Sequence, residues 1–455
     1  MRYFRSCSIL LATLASLVVA SALRAQAPYP AHAESLAYWI DSESDGRPGV
    51  TVATAFESYL AADSVVAADY NSLSTLDGIA ELKPAVPAGQ CKAPAAKPDA
   101  AKEKPPVIKS LTPFTGKCGG ITFTPGLRVQ PRYIYDDGND NNDFLIRRFR
   151  LKCSGDAFEI AKYGMELKID STGRFEADPK AEVENAWLDF KTSYESVFVR
   201  VGLYDIPFSY NALTSDSKLL LMDRTLIKES LTTLGLTDNT IGVMVHGRPY
   251  DGRFEYAAGV FDNVAFEKFG TTGIRESDEL MPAGRVAWHL LDPATPADGY
   301  ADYKESYIGE GQRLTVGLNS ACLGDAIEGP NEFDLFAYGT DIFFNSGRYT
   351  LQAEYDLFTE DMIGGNPDID GDGWYVQGGY LLGCCGGCAV ELAARHQELD
   401  RDNTIANDRL RWSSLGLNLY IRDHNLKIQT DYTFKREQGI ELDNDLLQTQ
   451  LQLDY

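Results

Sequence analysis

Cationic side chains recur at every second position between residues 148 and 152, where Arg148, Arg150 and Lys152 alternate with Phe149 and Leu151. Alternate side chains of an extended strand lie on one face, about 7 Å apart. The pattern therefore predicts a row of three cations opposite an apolar face. Because guanidinium groups bind carboxylate and phosphate oxygens bidentately, we expect this row to attract small anions.

Further charged residues fall in or beside residues 205–238, a long stretch without strand alternation. Arg200 belongs to the alternating pattern before it, and Asp205 stands two residues ahead of Pro207, where the alternation breaks. Three cations within the stretch are expected to extend the row: Lys218, Arg224 and Lys228. In the alternative interpretation, all these cations pair with carboxylates of other strands, such as Glu166, Asp189, Glu354 and Asp356.

Enzymatic and metal chemistry has little support in the sequence. The five histidines are scattered, and no G-x-S-x-G motif occurs. Asp368, Asp370 and Asp372 are spaced like the start of a calcium loop, but its twelfth position, which needs an acid, is Gly379. The cysteines at 384–388 lack a nearby histidine or second cysteine pair. We expect no catalysis, no metal and no other cofactor.

The chain after residue 119 consists of short segments in which polar and apolar residues alternate. Segments of about ten such residues, separated by turns, are typical of transmembrane β-barrels. The predicted strands are 121–135, 143–153, 158–170, 183–192, 196–204, 239–248, 252–262, 282–290, 312–322, 333–345, 347–359, 373–383, 388–398, 410–422, 425–435 and 445–455. We therefore predict an all-β fold, a 16-stranded antiparallel transmembrane β-barrel over residues 119–455.

The lengths of the connections support this count. Barrels of this class have short turns at one end and long loops at the other. Short connections are predicted at Ser154-Gly155, Tyr194-Glu195, 249–251, Ser346-Gly347, 385–387 and Asp423-His424. One connection is an exception, because residues 291–311 form a long segment at the turn end.

The N-terminal part of the chain differs from the barrel. Residues 1–27 have the basic start, apolar core and small-residue end of a secretory signal peptide, with cleavage after Ala27 or after Ala33. Residues 34–116 join an irregular head to a linker rich in Pro, Ala and Lys, which we expect to be periplasmic. No apolar window of about 18 residues or more follows the signal peptide, which excludes transmembrane helices.

The chain is acidic. Its net charge is −24, or −24 − 3 = −27 once the leader with its three arginines is removed, and it is therefore not expected to bind nucleic acid. Many carboxylates fall in the long loops, among them Asp136, Asp137, Asp368 and Asp370. Rings of carboxylates at the mouth of a pore favour cations.

Cleavage of the leader leaves seven of the eight cysteines, an odd number for an exported protein. The predicted topology brings five of them to the turn end of the barrel: Cys118, Cys153, Cys384, Cys385 and Cys388. We expect some of these to form disulfides that stiffen this end.

Several motifs resemble one known family. Residues 202–208, GLYDIPF, resemble the G-x-[FY]-x-x-P-F signature of the phosphate-selective porins of the O/P type. Residues 144–151, FLIRRFRL, resemble the family's arginine-rich second strand, and the C-terminal Tyr455 resembles the assembly signal of outer-membrane proteins. Other segments are similar to its later strands in order: 242–247, 257–261, 373–382, 390–395 and 415–420.

The resemblance implies an outer-membrane porin, a homotrimer in contact with outer-membrane lipid, in which the loop at 205–238 folds into the barrel and narrows the pore. This chain departs from the family pattern at Asp205, where lysine is common. The leading hypothesis is a passive channel for small ions, phosphate or other anions among them. Two alternatives stay open: a cation-preferring channel of the same fold, and an exported β-rich surface or binding protein without a pore.

Overall fold

A computed structural model describes most of the predicted barrel. The described residues are 116–118, 120–138, 141–172, 181–194, 196–262, 277, 279–294, 300, 302–328, 331–385, 388–437 and 444–455. The expected signal peptide and nearly all of the expected N-terminal segment lie outside these residues.

Sixteen antiparallel strands form one closed sheet. They are β1 (Ile121–Asp136), β2 (Asn141–Ala157), β3 (Ala161–Thr172), β4 (Glu182–Lys191), β5 (Phe198–Asp205), β6 (Asn239–Gly247), β7 (Phe254–Phe261), β8 (Met281–His289), β9 (Gln312–Glu328), β10 (Asn331–Ser346), β11 (Tyr349–Ile363), β12 (Ile369–Cys385), β13 (Cys388–Asp400), β14 (Leu410–Arg422), β15 (Leu426–Glu437) and β16 (Leu446–Asp454). Each strand pairs with the next, and β16 pairs with β1 through Gln450 and Arg132, which closes the barrel. The predicted fold and strand count are confirmed.

The two faces of the sheet have opposite chemistry. On β16 the outward Leu451 and Leu453 are each 45% exposed, whereas the alternating Gln450 and Gln452 are almost fully buried. On β6, Val243 is 48% exposed. A soluble protein would bury such leucines and expose the glutamines. The outer face is therefore an apolar band, as in barrels that are surrounded by lipid, and the polar side chains lie inside.

One predicted turn is wrong. Ser154-Gly155 belongs to β2, and the turn follows at residues 158–160, where Phe158 and Glu159 have φ of 52° and 62°. Gly155 is needed for a close approach and not for a turn, because a Cβ there would lie 1.9 Å from the carbonyl oxygen of Thr122. The predicted strand therefore ends at residue 153, whereas β2 extends to Ala157.

The turn end of the barrel also holds an unpredicted strand. Gly116–Cys118 pairs antiparallel with the start of β1, before the predicted beginning of the barrel. The thiols of Cys118, Cys153 and Cys388 are not in disulfides. The side chains of Cys384 and Cys385 lie outside the described residues, so the predicted bridging is unsupported for three of the five cysteines.

Two long connections contain most of the remaining described structure. Residues 206–238, here called the loop segment, join β5 to β6 and contain helix α1 (Tyr210–Leu213), a 3₁₀ turn (Asp216–Lys218) and helix α2 (Leu226–Thr233). Residues 302–308, here called the turn segment, belong to the connection between β8 and β9. Neither described α-helix is long and apolar enough to cross a membrane.

Candidate functional site

The loop segment lies against the inner face of the barrel. Leu219 and Leu220 are fully buried, although they lie in a connection. Polar side chains of four strands hydrogen-bond the backbone: Asn418 to Leu220 O at 2.8 Å, Lys427 to Leu219 O at 3.1 Å, Gln452 to Ser217 O at 3.0 Å, and Arg395 to Asp223 O at 3.0 Å. These contacts satisfy backbone groups that burial would otherwise leave unpaired.

Local caps and one side-chain brace give the loop segment its shape. The hydroxyl of Ser209 accepts from Ala212 N at the start of α1, and that of Thr225 accepts from Lys228 N at the start of α2. The guanidinium of Arg224 donates to the carbonyls of Asn211 and Thr214. Arg224 therefore joins the two halves of the segment.

One side of the barrel interior is filled by apolar packing. Leu226, Ile227 and Leu231 of α2 are buried in a cluster with side chains from the inner faces of β6 to β13, including Phe333 and Tyr375. Because protein cores are close-packed, this region leaves no wide passage.

Four arginines surround a single carboxylate of the loop segment, that of Asp216. The distances from Asp216 to the guanidinium nitrogens are 2.9 Å for Arg148, 2.8 Å for Arg224, 3.8 Å for Arg150 and 3.9 Å for Arg128. Three of these arginines lie on adjacent strands, and Arg224 belongs to the loop segment itself. We call these five residues the arginine cluster.

Electrostatics favours the charged forms of two members of the arginine cluster, Asp216 and Arg224. Burial alone would raise the pKa of the Asp216 carboxyl, but the charges of Arg148, Arg224, Arg150 and Arg128 hold this pKa well below its usual range. Burial likewise lowers the pKa of Arg224, yet the charges of Asp216, Glu305, Asp205 and Glu229 together outweigh it and leave the pKa raised. Four cations share the Asp216 carboxylate, and carboxylates outside the cluster offset part of their charge, since Arg128 lies 3.3 Å from Asp454 and Arg150 lies 2.8 Å from Glu184.

The other predicted cations have separate partners. Arg200 pairs with Asp189 at 2.9 Å, and Lys152 pairs with Asp454 at 3.4 Å. Lys218 contacts Asp302 of the turn segment, and Lys228 lies 3.6 Å from its neighbour Glu229. Arg150 also contacts Glu184 at 2.8 Å and Glu166 at 3.6 Å. The predicted cations thus do not form one uninterrupted row, and two of the pairs are those of the alternative interpretation.

A cavity of about 260 Å³ lies beside the arginine cluster. Its lining includes three predicted site residues, Lys152, Arg200 and Asp205, together with Glu166 and Tyr300. Arg148, Arg150, Lys218, Arg224 and Lys228 do not belong to this lining. The cavity presents both cations and carboxylates to a small solute.

Several residues of the site were not predicted from the sequence. Arg128, Gln130 and Arg132 of β1 alternate with Val129 and Pro131, which is the same period-two signal that identified β2. Arg132 contacts Asp223 at 2.6 Å. Asp216 had no periodic signal, because its partners come from distant parts of the chain. For the buried Glu305 of the turn segment, the only signal was the excessive length of its connection.

The chain is similar to known proteins in sequence and in fold. The family described as phosphate-selective porin O and P matches residues 126–455. An uncharacterized protein of Aquifex aeolicus (strain VF5) is 29% identical over 369 residues, which cover 72% of this chain and 86% of that protein. The trimer form of in-vitro folded OmpT from Vibrio cholerae has a TM-score of 0.50 at 10% identity, covering 74% of this chain and all of that one. OmpF of Salmonella typhi, in complex with daunomycin, has a TM-score of 0.50 at 9% identity, covering 75% of this chain and all of that one.

Proposed function

The chain belongs to the phosphate-selective porin O and P family, and we propose that it conducts small anions, phosphate among them, past a constriction formed by the loop at 205–238. Its barrel is an outer-membrane channel, as the family and the fold indicate. Conduction through such a barrel is passive diffusion. The sign of the preferred ion then depends on the charges that line its narrowest part.

The arginine cluster is the observation that supports anion preference. Arg128, Arg148 and Arg150 are each about 95% buried, and all three lie within 3.9 Å of the Asp216 carboxylate. Arg128 also pairs with Asp454 at 3.3 Å, and Arg150 with Glu184 at 2.8 Å. Moreover, the buried Nε of Arg128 has no hydrogen-bond partner within the described part of the chain. A nearby anion can use such donors, and guanidinium groups suit phosphate oxygens.

The substitution Asp205→Lys tests the constriction. Asp205 lines the cavity with Lys152 and Arg200, so the substitution reverses a charge beside the proposed path. At about 4 Å and an effective dielectric constant near 20, a unit charge changes the energy of an ion by roughly 4 kcal/mol. We expect the zero-current potential across a planar bilayer, measured in a KCl gradient, to shift toward the value of a chloride-selective channel.

The matched control is Asp137→Lys, the same charge change at an exposed position in the β1–β2 connection. At high ionic strength this rim charge is screened, so the potential should stay near that of the wild type. Equal shifts for the two variants, or none for Asp205→Lys in a folded barrel, would place the narrowest part elsewhere.

A cation-preferring channel is the second candidate. Glu166 and Asp205 line the cavity, and Asp137, Asp368 and Asp370 are exposed in or beside the long loops. Carboxylates at a pore mouth raise the local concentration of cations. The opposite sign of the wild-type zero-current potential would favour this candidate.

We further propose export by the signal peptide, a periplasmic position for residues 34–116, and assembly as a homotrimer in outer-membrane lipid. The trimer form of OmpT supports the last point by analogy of fold alone. Chemical cross-linking in unheated detergent extracts tests the trimer. We expect a gel band at three times the mass of the monomer.

A further inference from the structure

The turn segment enters the barrel from the end opposite the long loops and meets the loop segment inside. Glu305 and Ser306 are fully buried, and Tyr303 is 4% exposed. The backbone N–H of Glu305 donates to Lys218 O at 3.1 Å, and the hydroxyl of Tyr210 donates to Lys304 O at 2.9 Å. Two connections from opposite ends of the barrel are thus in direct contact.

Glu305 joins the turn segment to two separate points of the loop segment. Its Oε1 accepts from Asn211 Nδ2 at 2.6 Å, and its Oε2 accepts from the backbone N–H of Leu220 at 2.8 Å. Asn211 lies in α1, whereas Leu220 lies at the inner tip of the loop segment, residues 217–221. Bonds to an ionised acceptor are among the stronger hydrogen bonds in proteins.

The turn segment is itself fixed to the barrel wall. Ser306 Oγ donates to Glu391 Oε1 at 2.9 Å, and His424 Nε2 lies 2.8 Å from Ser306 O. Tyr303 donates to Glu255 at 2.5 Å. Glu305 therefore extends from an anchored support.

We propose that Glu305 is a positioning residue that sets the width of the channel by holding the tip of the loop segment in place. The inference depends on the proposed function, in which the loop segment forms the constriction. Without the carboxylate, Leu220 loses its acceptor and the tip moves between two positions. The channel then has a second conductance level.

Glu305→Gln tests the proposal in single-channel recordings of the full-length protein in a planar bilayer. Glutamine keeps the size of the side chain but has one acceptor oxygen in place of two, so at least one of the two bonds is lost. Because a hydrogen bond to a charged group contributes to stability, we expect at least about tenfold more time in the second conductance level. Glu310→Gln is the control, since it makes the same chemical change at an exposed position of the same connection.

If Glu305 has only a structural role, Glu305→Gln should lower the temperature at which the barrel unfolds, as seen on gels of heated samples. The conductance levels should then stay unchanged. That result, or equal recordings for Glu305→Gln and Glu310→Gln, would overturn the proposal. If Glu305→Gln does not fold, Glu305→Asp, which keeps the charge but shortens the reach, should show the second level. If neither variant folds, Glu305 is a folding residue and the proposal is wrong. If the wild type conducts no ions, the proposed function fails instead.

Discussion

Asp216 is the residue on which the arginine cluster depends. Taking charges out of water is costly, and breaking a buried ion pair by removing one partner costs about 3–5 kcal/mol, because the remaining charge is uncompensated. Here one carboxylate compensates several guanidinium groups, among them Arg148 at 2.9 Å and Arg224 at 2.8 Å. The carboxylate of Asp216 thus occupies the position that a small anion would take.

Asp216→Asn should therefore make the stability of the barrel depend on anions. We expect the variant to unfold at a lower temperature than the wild type in chloride, and to recover part of this loss in phosphate at equal ionic strength. Ligand that binds only the folded state stabilises it by mass action. The measurement is the midpoint temperature of the gel shift between folded and unfolded barrel.

Asp223→Asn is the control for this experiment. Asp223 contacts only one arginine of β1, Arg132, and its side chain is 47% exposed, so water can compensate the loss. The phosphate effect should be smaller in this variant and in the wild type, because in both the Asp216 carboxylate still lies between the arginines. A phosphate effect of the same size in all three proteins would mean that the cluster is not an anion site.

His424 should make the anchorage of the turn segment sensitive to acid. Burial, the charge of Lys427 and smaller effects lower the pKa of this histidine to about 3, against an ordinary value of 6.5. Its contribution to stability is therefore complete above pH 6.5 and is lost as the pH falls toward 3, since the unfolded chain binds the proton first. The loss is up to about 1.4 kcal/mol per pH unit.

Unfolding temperatures between pH 7 and pH 4 test this effect. His424→Gln, which keeps a donor for Ser306 O but does not titrate, should have a flatter pH profile than the wild type. The control is His396→Gln, at an exposed position on the outer face. Parallel profiles for the wild type and His424→Gln would contradict the assignment.

At the scale of elements, the strands followed from the sequence and the connections did not. Alternation of polarity located all sixteen strands because each strand has one apolar and one polar face, so a shift of one residue would turn the leucines of β16 inward. Connections have no such constraint. The helices of the loop segment and the inward course of the turn segment depend on contacts with distant parts of the chain, such as Leu220 with Asn418 and Glu305 with Asn211.

Helix α2 should be held by its apolar face. Leu231 is fully buried in the cluster with side chains of β6 to β13, and truncating such a residue typically costs about 2–5 kcal/mol. We expect Leu231→Ala to lower the unfolding temperature and to increase single-channel noise. Leu415→Ala, on the outer face at 59% exposure, is the control and should change neither. If both variants behave like the wild type, α2 does not depend on this packing.

At the scale of the whole molecule, the barrel is partly filled. Apolar packing occupies the side of β6 to β13, the loop and turn segments meet in the interior, and the arginine cluster lies by β1 and β2. The sequence predicted the arginines of β2 from their spacing alone. It did not predict that Asp216 would compensate them, because that contact exists only after the loop segment folds against the barrel wall.

The zero-current potential of the wild-type channel shows whether the channel prefers anions. In a planar bilayer with a KCl gradient, the four arginines that share the Asp216 carboxylate predict a potential of the sign that chloride selectivity produces. Replacing chloride by phosphate should keep this sign. A potential of the sign that potassium selectivity produces, in a channel whose barrel is folded, would rule out anion preference.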